Sequence, residues 1–552
     1  MIETNDKPSR SGRPRRIAAA VAIGVCLFGQ LGAIGLVGPD EPRYVWIARA
    51  MAQTGDWITP RLYGQPWFEK PVLYYWAAAV GFLLHLPAEW AARLPSALAA
   101  LAAACAIGWL ARKHYGTGLG LLENPGVLSP LVFSTSVAAI GFARSAGPDM
   151  LFSACLALAM TSAACALRRK GALRSDQLRL QDDSLPLLLL GVFLGLGVLA
   201  KGPAALVLAG GAIFFWALGT KQWRAAMRLS HPLAIGAFVV VALPWYLLCA
   251  LRNPDFFRVF LLEHNFQRYL TPEFHHPQPF WFFLPIVLVA LLPWTVLLWP
   301  ATQQAARLWR ERSWHSSPGF FFACWAIFPV LFFSFSQSKL PGYILPSIPP
   351  FALLLAAALK RVAGADVPER PRNLKLIGIA LGSTWIALAL AALLWAHRLP
   401  QTARDAAGRD VFAAAGVAVA GGLAVTVLAM LGKRGSAALT ALLAVLCVEI
   451  AGVLILPPLG ASFSARPHAQ LLRNDAHPDR IFSYRLPRSW NFGLHFYMGR
   501  ELSEWSSSDP NAALVLTTPD GLREIQRLGR VHGELNESFQ GIVYVPVAPA
   551  PR

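Results

Sequence analysis

Charged residues are scarce in this chain, and those that could do chemistry fall in a few short stretches. The first runs Gly38-Pro39-Asp40-Glu41-Pro42-Arg43-Tyr44 and ends with Phe68-Glu69-Lys70-Pro71. Further on come Arg144 with Gly147-Pro148-Asp149, then Lys201-Gly202-Pro203, then a segment rich in charge at 252–278 that contains His264 and Arg268. The last is Ser338-Lys339-Leu340-Pro341-Gly342-Tyr343. Each follows or precedes an apolar run, and charge placed beside a hydrocarbon face is usually functional. Lysine and arginine at that boundary suit a phosphate, which they bind through charge-assisted hydrogen bonds. Carboxylates in the same place suit a sugar hydroxyl, an amine, a metal ion or a proton. Together they point to chemistry on a lipid-linked phosphate at the outer membrane surface. Plainer readings exist for each residue: Asp40 and Asp149 as helix N-caps, Glu41 as a partner of the helix dipole, Lys201 as a side chain reaching for headgroups.

The elements that must position these groups are membrane helices. Of 552 residues, 55% are hydrophobic and only 14% charged, against about 25% in soluble proteins. Apolar runs long enough to span recur along the chain, beginning at 16–37, which we read as an uncleaved first span. The basic N-terminus belongs inside, so the stretch 38–70 emerges outside. Within it, Tyr44, Ile47, Ala48 and Met51 share one face of a helix starting near Asp40 and ended by Gly55. Residues 71–86 are apolar but short and aromatic, and suit an interfacial helix. With that register, Arg112-Lys113, Arg168-Arg169-Lys170, Lys221 with Arg224 and Arg228, Arg307 with Arg310, Lys360-Arg361 and Lys433-Arg434 all fall inside. The expected total is about thirteen spans.

The formal charge of +19 therefore lies mainly in inside loops and does not call for nucleic acid. All seven cysteines fall in apolar runs, which argues against structural disulfides. Residues 457–552 differ in composition: 481–485, 513–517 and 542–547 read as strands, 468–474 and 521–529 as helices. The expected division is a transmembrane domain over 1–456, with juxtamembrane helices in the outer loop 38–91, and a small soluble α/β domain over 457–552.

The ordered set of Asp40-Glu41, Gly55-Asp56-Trp57, Phe68-Glu69-Lys70-Pro71, Arg144 to Asp149, Ala200-Lys201-Gly202-Pro203, Glu263 to Arg268 and Ser338 to Pro346 resembles the GT-C superfamily of polyprenyl-phosphate-dependent glycosyltransferases. Within it the chain is similar to the aminoarabinose transferases that modify lipid A, relatives of protein O-mannosyltransferases. The resemblance implies an all-α polytopic fold with a small periplasmic α/β domain, in the inner membrane of a Gram-negative bacterium. It implies transfer of 4-amino-4-deoxy-L-arabinose from undecaprenyl phosphate to a lipid A phosphate in the periplasm, and with it resistance to polymyxin. Asp40, Asp149 and Glu69 would be the catalytic carboxylates. Arg43, Tyr44, Lys70, Lys201, Arg268, Lys339 and Tyr343 would bind donor and phosphate. The resemblance implies no particular cofactor, and Glu69 and His264 could share a divalent cation. Asp40→Asn is expected to be severe and Glu41→Gln gentler.

Two other classes compete. A transferase of different sugar specificity, perhaps acting on protein, keeps the cavity and changes the acceptor. A transporter or flippase expects charges on broken helices near the bilayer midplane, whereas here nearly all map to loop edges.

Overall fold

The computed structural model describes residues 13–548 apart from 117, 119, 168–183, 261–277, 364–370, 400, 474–479, 509–512, 532–535 and 540. Its first part is helical: α1 (Arg13–Phe28), α2 (Asp40–Thr54), α3 (Leu73–Leu83), α4 (Ala88–Tyr115), α5 (Pro125–Ser134), α6 (Val137–Ala143), α7 (Pro148–Leu167), α8 (Ser184–Lys201), α9 (Ala204–Thr220), α10 (Trp223–Met227) and α11 (Pro232–Arg252).

Among the described residues, eight helices are long and apolar enough to cross a membrane, and ten if two bent pairs each count as one span. The expected count of about thirteen is not reached by length and composition. The shortfall has a physical cause. The run 16–37 leaves helix at Phe28, and α9 and Pro318–Ser334 have only 17 residues each. The run 118–143 is broken between α5 and α6 by 66°, and the run 279–300 by 107°. Hydropathy registers how apolar a run is and does not register such breaks. The stretch 71–86 holds only the 11-residue α3, about 16 Å of helix against a hydrocarbon core of about 30 Å.

α2 buries Tyr44, Ile47, Ala48 and Met51, the face expected from spacing. Gly55 closes it in the left-handed region, φ 71°, donating its N–H to the Met51 carbonyl. Its N-cap is Pro39, so Asp40 is the first helical residue rather than the cap. After α2 a hairpin pairs β1 (Arg61–Leu62) with β2 (Gln65–Pro66) through Tyr63 and Gly64, both at positive φ, as a tight two-residue hairpin turn demands.

The helix Arg434–Phe463 runs on through Pro457 and Pro458 before the soluble part begins. There β3 (Ile481–Tyr484), β4 (Ala513–Thr517), β5 (Asn536–Phe539) and β6 (Ile542–Val547) form a sheet in the order β3-β4-β6-β5, with only β3 and β4 parallel. Helices Arg466–Leu472, Arg488–Met498 and Pro519–Arg527 accompany it. This part docks on the loop between α1 and α2. The Tyr497 hydroxyl accepts from the Leu36 N–H at 2.7 Å and donates to Glu89 at 2.8 Å, while Arg466 pairs with Glu89 at 3.2 Å.

Candidate active site

The first turn of α2 carries two ion-pair systems. On one side Glu41 is buried. Its carboxylate pairs with Arg93 of α4 at 2.8 Å and accepts the N–H groups of Val37 at 2.9 Å and Ala146 at 2.7 Å. Arg93, 2% exposed, also donates to the carbonyls of Leu31, Ile34 and Gly35. This knot fixes where the loop between α1 and α2 leaves the bundle and where the 144–148 connection crosses it.

On the other side Arg43 joins two carboxylates. It donates to Asp40 one turn earlier and to Glu69 at 3.1 Å, and to the Pro39 carbonyl. The second Glu69 oxygen lies 3.5 Å from the Lys70 ammonium. Asp40 is 58% exposed, whereas Arg43 is enclosed, its guanidinium stacked among Tyr44, Trp67 and Phe492. Burial opposes the Arg43 charge, but Glu69 and Asp40 outweigh it and raise its pKa. Glu69 also borders a groove of about 540 Å³ lined by Trp67, Phe68, Arg252 and Arg258.

A third group lies beyond Gly147. Asp149, in the first turn of α7, pairs with Lys201 at the end of α8. The Lys201 ammonium sits 4.9 Å from the centre of the Tyr343 ring and 5.8 Å from that of Phe152. An ammonium has three donors and Asp149 takes one. Gly147 backs onto the Tyr44 ring, so Tyr44 separates this pair from the Arg43 system. Tyr44 is buried, against Tyr74 and Tyr75 of α3. Burial, then the charge of Glu69, pushes the Tyr44 and Tyr75 hydroxyls well above the usual range, so both stay protonated donors.

The eleven residues picked out in the sequence are thus accounted for as follows. Asp40, Arg43, Glu69 and Lys70 form one network; Asp149, Lys201 and Tyr343 form another; Tyr44 stands between them. Lys339 is largely buried, donating to the Ser336 carbonyl at 2.6 Å and the Gln278 carbonyl at 2.9 Å, so it ties its own loop to the chain before Phe280. Arg268 and His264 lie outside the described residues. For a cation on Glu69, both carboxylate oxygens already face cations, and no cluster of three His, Cys, Asp or Glu is gathered among the described residues. Among the described residues, then, no donor set for a resident metal is assembled.

Three residues escaped the sequence reading. Phe492 covers Arg43 from the soluble part, 449 positions away, and only its docking brings it there. Tyr75, expected at the interface, is buried with a hydroxyl that has no hydrogen-bond partner among the described residues. Glu449 pairs with Arg144 at 2.5 Å from within an apolar helix, tying Arg434–Phe463 to α6 and α1. A lone glutamate in that apolar run was the available signal.

Residues 21–260 match the family model for dolichyl-phosphate-mannose-protein mannosyltransferase. The undecaprenyl phosphate-alpha-4-amino-4-deoxy-L-arabinose arabinosyl transferase of Edwardsiella ictaluri is 33% identical over 62% of this chain and 58% of its own length. That of Pseudomonas aeruginosa is 34% identical over 68% and 64%. The chain therefore spans about three fifths of the length of the curated relatives it matches. The crystal structure of ArnT from Cupriavidus metallidurans bound to undecaprenyl phosphate superposes with a TM-score of 0.77 over 98% of both chains, at 22% identity. An archaeal oligosaccharyltransferase from Archaeoglobus fulgidus, AglB, matches at 0.51 over 97% of this chain and 74% of its own, at 10% identity. The chain is thus a polytopic membrane protein of GT-C fold, close in sequence to the aminoarabinose transferases.

Proposed function

We propose that this protein transfers 4-amino-4-deoxy-L-arabinose from undecaprenyl phosphate to a lipid A phosphate at the periplasmic face of the inner membrane. The observation that carries this reading is the meeting of the Arg43 and Lys201 networks on either side of Tyr44, from stretches of sequence 300 positions apart. Donor and acceptor are both anionic lipids. An oxygen of the acceptor phosphate attacks the anomeric carbon, the bond from that carbon to the donor's phosphate oxygen breaks, and undecaprenyl phosphate leaves with the electron pair. Lys201 and Lys70 balance the leaving charge. Asp40, the exposed carboxylate, orients the acceptor or takes its residual proton. Asp149 and Glu69 hold those cations and face the sugar amine. Arg268 joins the phosphate clamp, and Arg43 acts by fixing Asp40 and Glu69.

The finer topology belongs to the same reading. Counting α1, α9 and Pro318–Ser334 as spans beside the ten longer ones gives about thirteen, with a transmembrane domain over 1–456 and a periplasmic domain over 457–552. Cysteine labelling at position 113 should then succeed only from the cytoplasmic side.

The match to a mannosyltransferase family model favours a second reading, transfer of another sugar to another acceptor. Mass spectrometry of lipid A from cells with and without the protein separates them. An aminopentose increment that depends on the protein, accompanied by polymyxin resistance, is the expected result. Lipid A of unchanged mass in expressing cells would overturn the proposal.

A further inference from the structure

The soluble part holds a second polar cleft, of about 630 Å³, against the Arg488–Met498 helix. That volume is in the range of small-molecule sites. It is lined by Ser483, Asn491, His495, Glu501, Ser503 and Glu504, among others. Among the described residues the Asn491 side-chain oxygen, in this lining, has no hydrogen-bond partner, and His495 Nε2, in a side chain only 3% exposed, has only a poorly aligned contact to the Leu502 main chain. Buried polar atoms are ordinarily satisfied, and leaving one unsatisfied costs about 1–3 kcal/mol.

The lining says which partner suits them. His495 Nδ1 shares a hydrogen bond with the Tyr63 hydroxyl at 2.9 Å, and burial pushes the imidazole down to about 4, so it is neutral near pH 7. A neutral imidazole and an amide oxygen both match a hydroxyl group, which donates and accepts. Glu501 and Glu504 disfavour anions, and the lining's arginine, Arg485, is already paired with Glu524 at 2.8 Å. The cleft is the electrostatic opposite of the Lys201 site. We propose that it binds the sugar rings of the glycolipid acceptor through their free hydroxyl or amino groups, and not through their phosphates. One helix carries both ends of the arrangement: Asn491 and His495 line the cleft, and Phe492 covers Arg43. This deepens the transfer reading by giving the acceptor a second handhold.

The test uses the full chain in detergent and an unphosphorylated glucosamine disaccharide as probe, with binding read by NMR of the sugar. Saturable binding is expected, weakened at least five-fold by Asn491→Leu and by Glu501→Gln, and not displaced by inorganic phosphate. Circular dichroism melting of each variant checks that it is folded, and Glu501, on the surface, serves if Asn491→Leu is not. No saturable binding, equal binding by the folded variants, or displacement by phosphate would overturn the proposal. In a transfer assay the same variants should raise KM for the acceptor with kcat unchanged. Because the probe carries no reacting phosphate, absence of transfer altogether would count against the function reading and leave the binding result to stand or fall alone.

Discussion

Asp40 and Glu41 are adjacent, alike in charge, and held in the same turn, yet their surroundings are opposite. Glu41 is enclosed, with Arg93 and two main-chain N–H groups around it. Asp40 is mostly open and, among the described residues, reaches one partner, Arg43, which Glu69 shares. Successive helix positions point about 100° apart, so one carboxylate must face the bundle and the other the cavity side. The difference teaches that an acidic pair in the first turn of such a helix is two devices. One positions the loop, and the other is exposed to whatever enters.

The comparison breaks most readily at Arg93. Removing one member of a buried ion pair leaves the other charge unpaired, typically worth about 3–5 kcal/mol. Arg93→Met and Glu41→Gln should each lower accumulated protein and the thermal midpoint in detergent, and the double variant should recover part of the loss. The sequence alone suggested a gentle Glu41→Gln; the buried pair reverses that expectation. Normal levels and midpoint in both single variants would show that the knot is dispensable.

Asp40→Asn should do the converse. Asp40 is not the helix cap and lies open, so the protein should accumulate normally. The proposed transfer should fall by about 10²-fold or more if the carboxylate acts on the reacting groups. Wild-type lipid A modification in that strain would make Asp40 merely a surface partner of Arg43. A smaller loss is expected for Lys201→Ala, about 1.5–3 kcal/mol for one charge-assisted hydrogen bond to phosphate, seen as ten- to hundred-fold slower transfer at limiting donor lipid. Unaltered rates there would leave Lys201 as a counter-ion for Asp149 alone.

Much of this was legible beforehand because the information is local. The apolar face of α2, its stop at Gly55, the shortness of α3 and three strands of the soluble sheet follow from spacing and composition. Charge beside apolar runs is rare enough to notice, which singled out Asp40, Glu69, Lys70, Asp149 and Lys201, and the structure gathers them into two networks. What stayed hidden depends on tertiary meeting. Nothing in the sequence says that Arg93 closes on Glu41, that Phe492 covers Arg43, or that Lys339 is consumed by the carbonyls of Ser336 and Gln278. Helix breaks were hidden for another reason: hydropathy is the same on either side of a bend of 66° or 107°.

His468 sharpens the comparison by removing charge from it. It is a buried polar side chain, like Glu41, but its partner is neutral: Nδ1 lies 2.6 Å from the Tyr544 hydroxyl, and the ring stacks at 23° on Tyr544. Burial pushes its pKa down to about 4, against about 6.5 in an unfolded chain. Between those values the unfolded state binds more protons, so stability rises with pH there. The soluble part should therefore be at full stability above pH 6.5 and lose it progressively as the pH falls towards 4. The loss should be smaller than that from breaking the Arg93 pair, because His468 can simply stay neutral over most of the physiological range. Hydrogen exchange of the β4 and β6 amides at pH 7 and pH 5 reads this directly, once corrected for intrinsic rates. Protection should fall at pH 5, and His468→Gln should flatten the change. Equal corrected protection at the two pH values in the unaltered protein would mean that the ring is protonated in place, with a counter-charge near it in the folded state.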